Sequence, residues 1–222
     1  MPSRPTPASV IPVRALAALA LGLLPVTALA AAAPAETHLD FTVLKDGDPI
    51  GLHRIDLTRT ADGETVSINT NILVRVAYVP VYRFEHAESE VWRNGRLVSL
   101  RSRTDDDGDK HTLQVTAAAD HVEIDGDGAA SRADPGIIPA SLWNRDLVTR
   151  KVLINTLTGR QMAVSVADLG EDSIRSHGTT IRAHHYRVSG ELKRDLWYSP
   201  SGTLVQVEFK AKDDSDIRYV LG

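Results

Sequence analysis

The sequence predicts an all-β protein, an antiparallel meander of about twelve strands forming a strongly curved sheet or partly open barrel. Segments with β-branched or alternating character recur at spacings of roughly 8 to 12 residues, the pattern of sandwiches and barrels. Each ends in a cluster of Asp, Gly, Asn or Pro, residues that supply turn conformations. Helix periodicity is nearly absent outside one segment, residues 135–147.

The first strand is expected over residues 37–45, closed by Asp46, Gly47, Asp48 and Pro49, and the second over residues 50–60, closed by Asp62 and Gly63. Residues 65–75 read as half buried, with Val66, Ile68, Ile72 and Val74 alternating against Ser67, Asn69 and Asn71. Pro80 cannot donate to a ladder, so a bend or crossover is expected within residues 76–81. Residues 82–93 form a long strand, and Asn94 with Gly95 is the clearest hairpin turn. Residues 96–104, 110–118 and 121–125 continue the meander.

The segment 135–147 divides the chain into two strand-rich halves. It reads as a proline-bounded loop entering one or two helical turns, with Ser141 as the cap and Leu142, Trp143 and Leu147 to bury. As a covering element over one sheet opening it places Trp143 in contact with both halves. Strands follow over residues 148–155, 161–169, 173–177, 180–189, 192–198, 204–210 and 216–221.

The N-terminus carries Arg4 and Arg14, then an apolar run from Ala15 to Val26, then Ala28 and Ala30, with no acidic residue before Glu36. That order is expected of a secretory signal over residues 1–30, leaving residues 31–222 as a single all-β domain. The apolar run is shorter than the roughly 20 residues that cross a bilayer, so a membrane-spanning anchor is not expected. Losing Arg4 and Arg14 reduces 25 basic residues to 23 against 29 acidic ones, a formal balance of about −6 that disfavours nucleic-acid binding. There is no cysteine, hence no disulfide framework and no lipid-modified N-terminus. The compartment these features fit is a bacterial periplasm.

Alternation along residues 82–92 sets Tyr82, Phe84, His86, Glu88, Glu90 and Trp92 on one strand face, with successive ionisable groups about 6 to 7 Å apart. Such a row is either a solvated face ion-paired to Arg96, Arg101 or Arg103, or a site that shares a metal ion or a proton-transfer role. His184 and His185 are adjacent and point to opposite faces. Asp105, Asp106, Asp107 and Asp109 around Gly108 read as a hairpin turn lacking the spacing of a calcium loop. No nucleophile elbow, no Ser-x-x-Lys and no phosphate loop occurs, so no catalytic residue, metal ligand or cofactor is assigned.

Several stretches are similar to uncharacterised secreted bacterial β proteins of unknown function. These are Asp195, Leu196, Trp197 and Tyr198 with Gly202 to Val205 and Asp214 to Ile217, then Phe41, Val43, Asp46 and Gly47, then Glu90, Trp92, Asn94 and Gly95, and Pro139, Ser141, Trp143 and Asn144. The resemblance implies fold and location and carries no catalytic residue. A looser likeness, at fold level, is to outer-membrane lipoprotein carriers, whose unclosed barrel covers a lipid site with short helices.

The functional expectation is a soluble periplasmic carrier for a lipid-like or otherwise amphipathic ligand, with Tyr82, Phe84, His86, Trp92 and Trp143 as candidate ligand-binding residues. The alternatives are a secreted enzyme using His86, Glu88 and Glu90 on an envelope component, or a non-catalytic envelope assembly protein.

Overall fold

The computed structural model describes residues 1, 3, 35–176 and 178–222. The expected signal, residues 1–30, lies outside the described residues apart from Met1 and Ser3. Among the described residues fifteen strands hydrogen-bond into one sheet, all of them within the unit Ala32–Gly222.

The first half is a meander: β1 (Ala35–Lys45), β2 (Asp48–Thr60), β3 (Gly63–Val76), β4 (Val79–Arg93), β5 (Arg96–Asp106), β6 (Asp109–Ala117), β7 (Val122–Gly126) and β8 (Ala129–Ala133). A short β9 (Ile138–Pro139) and a 3-10 helix (Arg145–Thr149) follow. The second half comprises β10 (Val152–Ile154), β11 (Gln161–Ser176), β12 (Thr179–Gly190), β13 (Arg194–Tyr198), β14 (Leu204–Lys210) and β15 (Asp216–Leu221). β1 pairs with both β2 and β15, so the two meanders share one backbone ladder, Phe41 opposite Leu221 through Lys45 opposite Ile217. The edges are β8 and β9, and the sheet is a curved, open one.

Fifteen strands exceed the expected figure of about twelve: the fourteen spans read along the sequence gain two short strands and lose one by fusion. Ala129–Ala133 and Ile138–Pro139 lack a β-branched alternation long enough to announce them. Pro80 does not mark a crossover: the chain has already reversed at Ala77 and Tyr78, whose φ values of 47° and 72° are those of a two-residue hairpin turn. Pro80 then falls opposite Arg75, beside a register shift between Val74 and Arg75, where a missing N–H is tolerated. The strands expected over 161–169 and 173–177 are one strand, β11, with Gly170 (φ 85°) serving a bulge after Asp168 rather than a turn. Residues 148–155 are not a continuous strand, because Asn144 accepts a hydrogen bond from the Asp146 N–H at 2.9 Å and draws residues 145–149 into the 3-10 helix. The cap is therefore Asn144, and the Ser141 side chain is buried instead.

One face of the sheet forms the core, with Phe41, Val43, Ile55, Leu100, Val115, Leu196 and Tyr198 fully buried. The covering segment closes onto it. Leu147 is fully buried, Trp143 is 8% exposed, and the Leu142 carbonyl accepts from the Tyr198 hydroxyl at 2.7 Å. The turn at residues 155–160 lies against the first half: Ser102 Oγ donates to the Thr156 carbonyl at 2.5 Å, and Gln161 Nε2 to the Arg132 carbonyl of β8 at 2.9 Å. These side-chain contacts join elements on either side of the gap left by the unpaired edges. Among the described residues no helix is long and apolar enough to cross a membrane.

Candidate functional site

The β4 face that carries the ionisable row points inward. His86, Glu88, Glu90 and Trp92 are all buried, at 8%, 4%, 1% and 2% exposure. The solvated, ion-paired reading of these glutamates is thereby corrected, and register supplies the reason. Glu88 stands opposite Ile68 and Ser102, and Glu90 opposite Val66 and Leu100, whereas Arg101 and Arg103 stand opposite Ser89 and Ala87 on the other face. Every neighbour that reaches the glutamates belongs to the core side.

A hydrogen-bonded chain runs along this face. His86 Nδ1 lies 2.8 Å from Thr104 Oγ1 and Nε2 lies 2.9 Å from Glu88 Oε2. Glu88 lies against Glu90. Glu90 Oε2 accepts from two indoles, Trp92 Nε1 at 2.6 Å and Trp143 Nε1 at 2.9 Å, with the two rings edge to face at 5.6 Å. Glu88 Oε1, Glu90 Oε1 and Ser141 Oγ are buried without a hydrogen-bond partner.

Burial sets the protonation states. It raises Glu88 to about 7. Burial and then the adjacent Glu88 raise Glu90 well above its ordinary value, which favours its protonated form. Burial lowers His86 to about 4. His53 falls to about 4 through burial and then through the nearby His86. Both rings are neutral at pH 7. With Glu88 ionised, His86 Nε2 carries the ring proton and donates to it, while Nδ1 accepts from the Thr104 hydroxyl.

His86 and Glu88 line a cavity of about 340 Å³ at the junction of the two halves. His53 and Thr70, hydrogen-bonded at 2.7 Å, extend its polar wall, with Ser141 entering from the covering segment and Thr156 from the turn at residues 155–160. Ile68, Phe84, Met162, Val207 and Phe209 make its apolar wall, and Arg160, Lys193 and Arg194 stand on the side of β13. Such a volume sits at the low end of small-molecule sites, roughly 300 to 1,000 Å³. Among the described residues no group of three or more His, Asp or Glu is arranged to hold a metal ion.

The five candidate residues are placed differently. Phe84 and His86 line the cavity, their rings stacked at 6.2 Å. Trp92 and Trp143 lie behind it, in the core, where they hold Glu90. Tyr82 is not among the cavity's lining residues; its hydroxyl donates to Asp106 Oδ1 at 2.6 Å. His184 and His185 stay apart from the site, pairing with Asp168 and Asp195. Four further lining residues, His53, Thr70, Tyr219 and Arg194, belong to no sequence motif. His53 and Thr70 share parity with the buried Ile55 and Ile68 of their own strands, a signal that would have turned them inward.

Residues 41–222 match the family described as Domain of unknown function (DUF6134). Among solved structures, a beta-barrel-like protein of domain of unknown function DUF1849 from Brucella abortus is similar, with a TM-score of 0.58 at 11% identity over 85% of this chain and 95% of that one. At that identity the likeness shows the fold. No curated protein matches the sequence.

Proposed function

The chain belongs to this family of unknown function, and from its cavity we propose that it is a binding or carrier protein for a small amphipathic, lipid-like molecule. The observation that carries the reading is the mixed lining of the cavity: Phe84, Val207 and Phe209 give it apolar surface, His53, Thr70 and His86 give it polar groups, and Ser141 reaches it from the covering segment. Concave sites of mixed lining with a few fixed polar groups suit such a ligand. The order of Arg4, Arg14, the apolar run and Ala28 with Ala30 supports placing this activity in the periplasm.

Native mass spectrometry of protein purified from an envelope fraction tests the reading. The expected spectrum contains an adduct that organic extraction removes and that the cavity-filling variant Ala140→Phe lacks. An adduct-free wild-type protein that also fails to bind an anilinonaphthalene dye refutes it.

One observation favours a second reading. Glu88, at about 7 and hydrogen-bonded to His86 inside the cavity, has the proton affinity of a general acid or base at neutral pH. On this reading the protein transforms its ligand, and Glu88→Gln abolishes turnover of the extracted adduct while leaving its binding intact.

A further inference from the structure

The cavity is uneven in charge. Its inner wall carries His53, His86 and Glu88, none of them a cation at neutral pH. Its β13 side carries Arg194, half buried, whose guanidinium carbon sits 3.7 Å from the Phe209 ring centroid and whose Nη1 donates to the Lys193 carbonyl at 2.7 Å. Among the described residues no Asp or Glu forms an ion pair with Arg194, whereas Arg54, Arg59, Arg187 and Arg218 each have a carboxylate partner. Glu191, the other acidic residue on the cavity wall, is occupied by Arg160 and by the Ala163 N–H at 2.7 Å.

A cation drawn out of water without a countercharge is costly, and burial lowers Arg194 below its usual range. The ring beneath it offsets part of that cost, and with Nη1 held by the Lys193 carbonyl the Nε and Nη2 side of the fork is left for a bidentate acceptor. Exposed Lys193 adds a second positive charge on the same side.

We propose that the cavity takes an anionic amphiphile, a carboxylate or phosphate ester on an aliphatic chain, with the anion held by Arg194 and the chain lying along Phe84, Met162 and Val207. This rests on the binding reading above and names the chemistry of the ligand. Phosphate and carboxylate share the recognition, because both present two oxygens to a guanidinium.

Titration calorimetry of the whole chain with decanoate, decyl phosphate, decanol and inorganic phosphate tests it. The expected order is decanoate and decyl phosphate at least about tenfold tighter than decanol, with inorganic phosphate weaker than decyl phosphate. Arg194→Gln is expected to bring decanoate to the affinity of decanol while decanol itself is unchanged, and Arg194→Lys to retain part of the difference. Should the glutamine variant not fold, the wild-type ligand series and the lysine variant decide. Decanol binding as tightly as decanoate overturns the anion assignment and leaves the amphiphile reading standing. Inorganic phosphate binding as tightly as decyl phosphate overturns the role of the chain, and absence of binding by every amphiphile overturns both readings.

Discussion

Trp143 donates its indole N–H to Glu90 Oε2 across 2.9 Å, and with that one contact the segment between the two halves is keyed to the middle of the first. Trp92 donates to the same oxygen at 2.6 Å. A neutral carboxyl accepts both bonds as well as a carboxamide would. Glu90→Gln is therefore expected to change stability by less than about 1 kcal/mol, whereas Trp143→Ala, which leaves a cavity and removes one of the two donors to Glu90, is expected to cost about 3 to 5 kcal/mol. Urea unfolding of the two variants checks this. A large loss in Glu90→Gln would mean that Glu90 is charged in the folded protein.

Glu88 makes stability depend on pH. Its folded-state value of about 7 lies above the unfolded 4.5, so the folded chain binds the extra proton between these values. The associated stability is full below 4.5 and is lost as pH rises toward 7, by up to about 1.4 kcal/mol per pH unit. Glu88→Gln removes this contribution and leaves that of Glu90. Thermal unfolding from pH 5 to pH 7.5 should show wild type losing ground to the variant, and parallel curves would contradict the assignment.

His53 and His86 act in the opposite sense. Both are lowered from 6.5 to about 4, so their stability is full above 6.5 and is lost as pH falls toward 4. A His53→Gln, His86→Gln double variant should resist acid better than wild type relative to its own stability at pH 7, as read by unfolding at pH 4 and pH 7.

The turn of the β3–β4 hairpin stores strain. Ala77 and Tyr78 both hold positive φ, a region that costs an ordinary residue about 1 to 2 kcal/mol. Replacing the pair with Asn-Gly is expected to raise stability by about 1 to 2 kcal/mol and to leave the cavity untouched. Chemical denaturation measures the gain; a loss would mean that the exposed Tyr78 contributes contacts not evident from its 95% exposure.

Gly126 reports on the seam between the two halves. A Cβ there would lie 2.0 Å from the Thr158 carbonyl oxygen. Gly126→Ala must push the 155–160 turn away from β7, at a cost of about 1 to 3 kcal/mol, with faster amide exchange at Thr156 and Leu157 as the local signature.

Much of the architecture was written in short-range signals. Asn94 with Gly95 and Asp46 with Gly47 make the turns their side chains prescribe, with positive φ at all four positions. Alternation correctly grouped His86, Glu88, Glu90 and Trp92 on one face. It could not say which face was inward, since that depends on Val66, Ile68 and Leu100 standing opposite, and register is a long-range property. For the same reason Arg194 and Tyr219 could not be joined to His53. Strands far apart in sequence bring them to one cavity, and nothing local to Arg194 announces that its charge goes unanswered. The covering role of residues 135–147 was visible because a proline-flanked tryptophan interrupts the alternation. The cap at Asn144 was missed because Ser141 satisfies the same short-range rule.

The single ladder between β1 and β15 gives the chain an order of assembly. Each meander closes through neighbours in sequence, but Phe41 meets Leu221 only across the whole domain, the contact whose loop closure is entropically dearest. The cavity draws its walls from β2, β3 and β4 on one side of that ladder and from β13, β14 and β15 on the other. Either half synthesised alone therefore lacks the complete cavity, and a molecule seated there would act as a clasp, holding together two strand sets whose shared ladder is five residue pairs long.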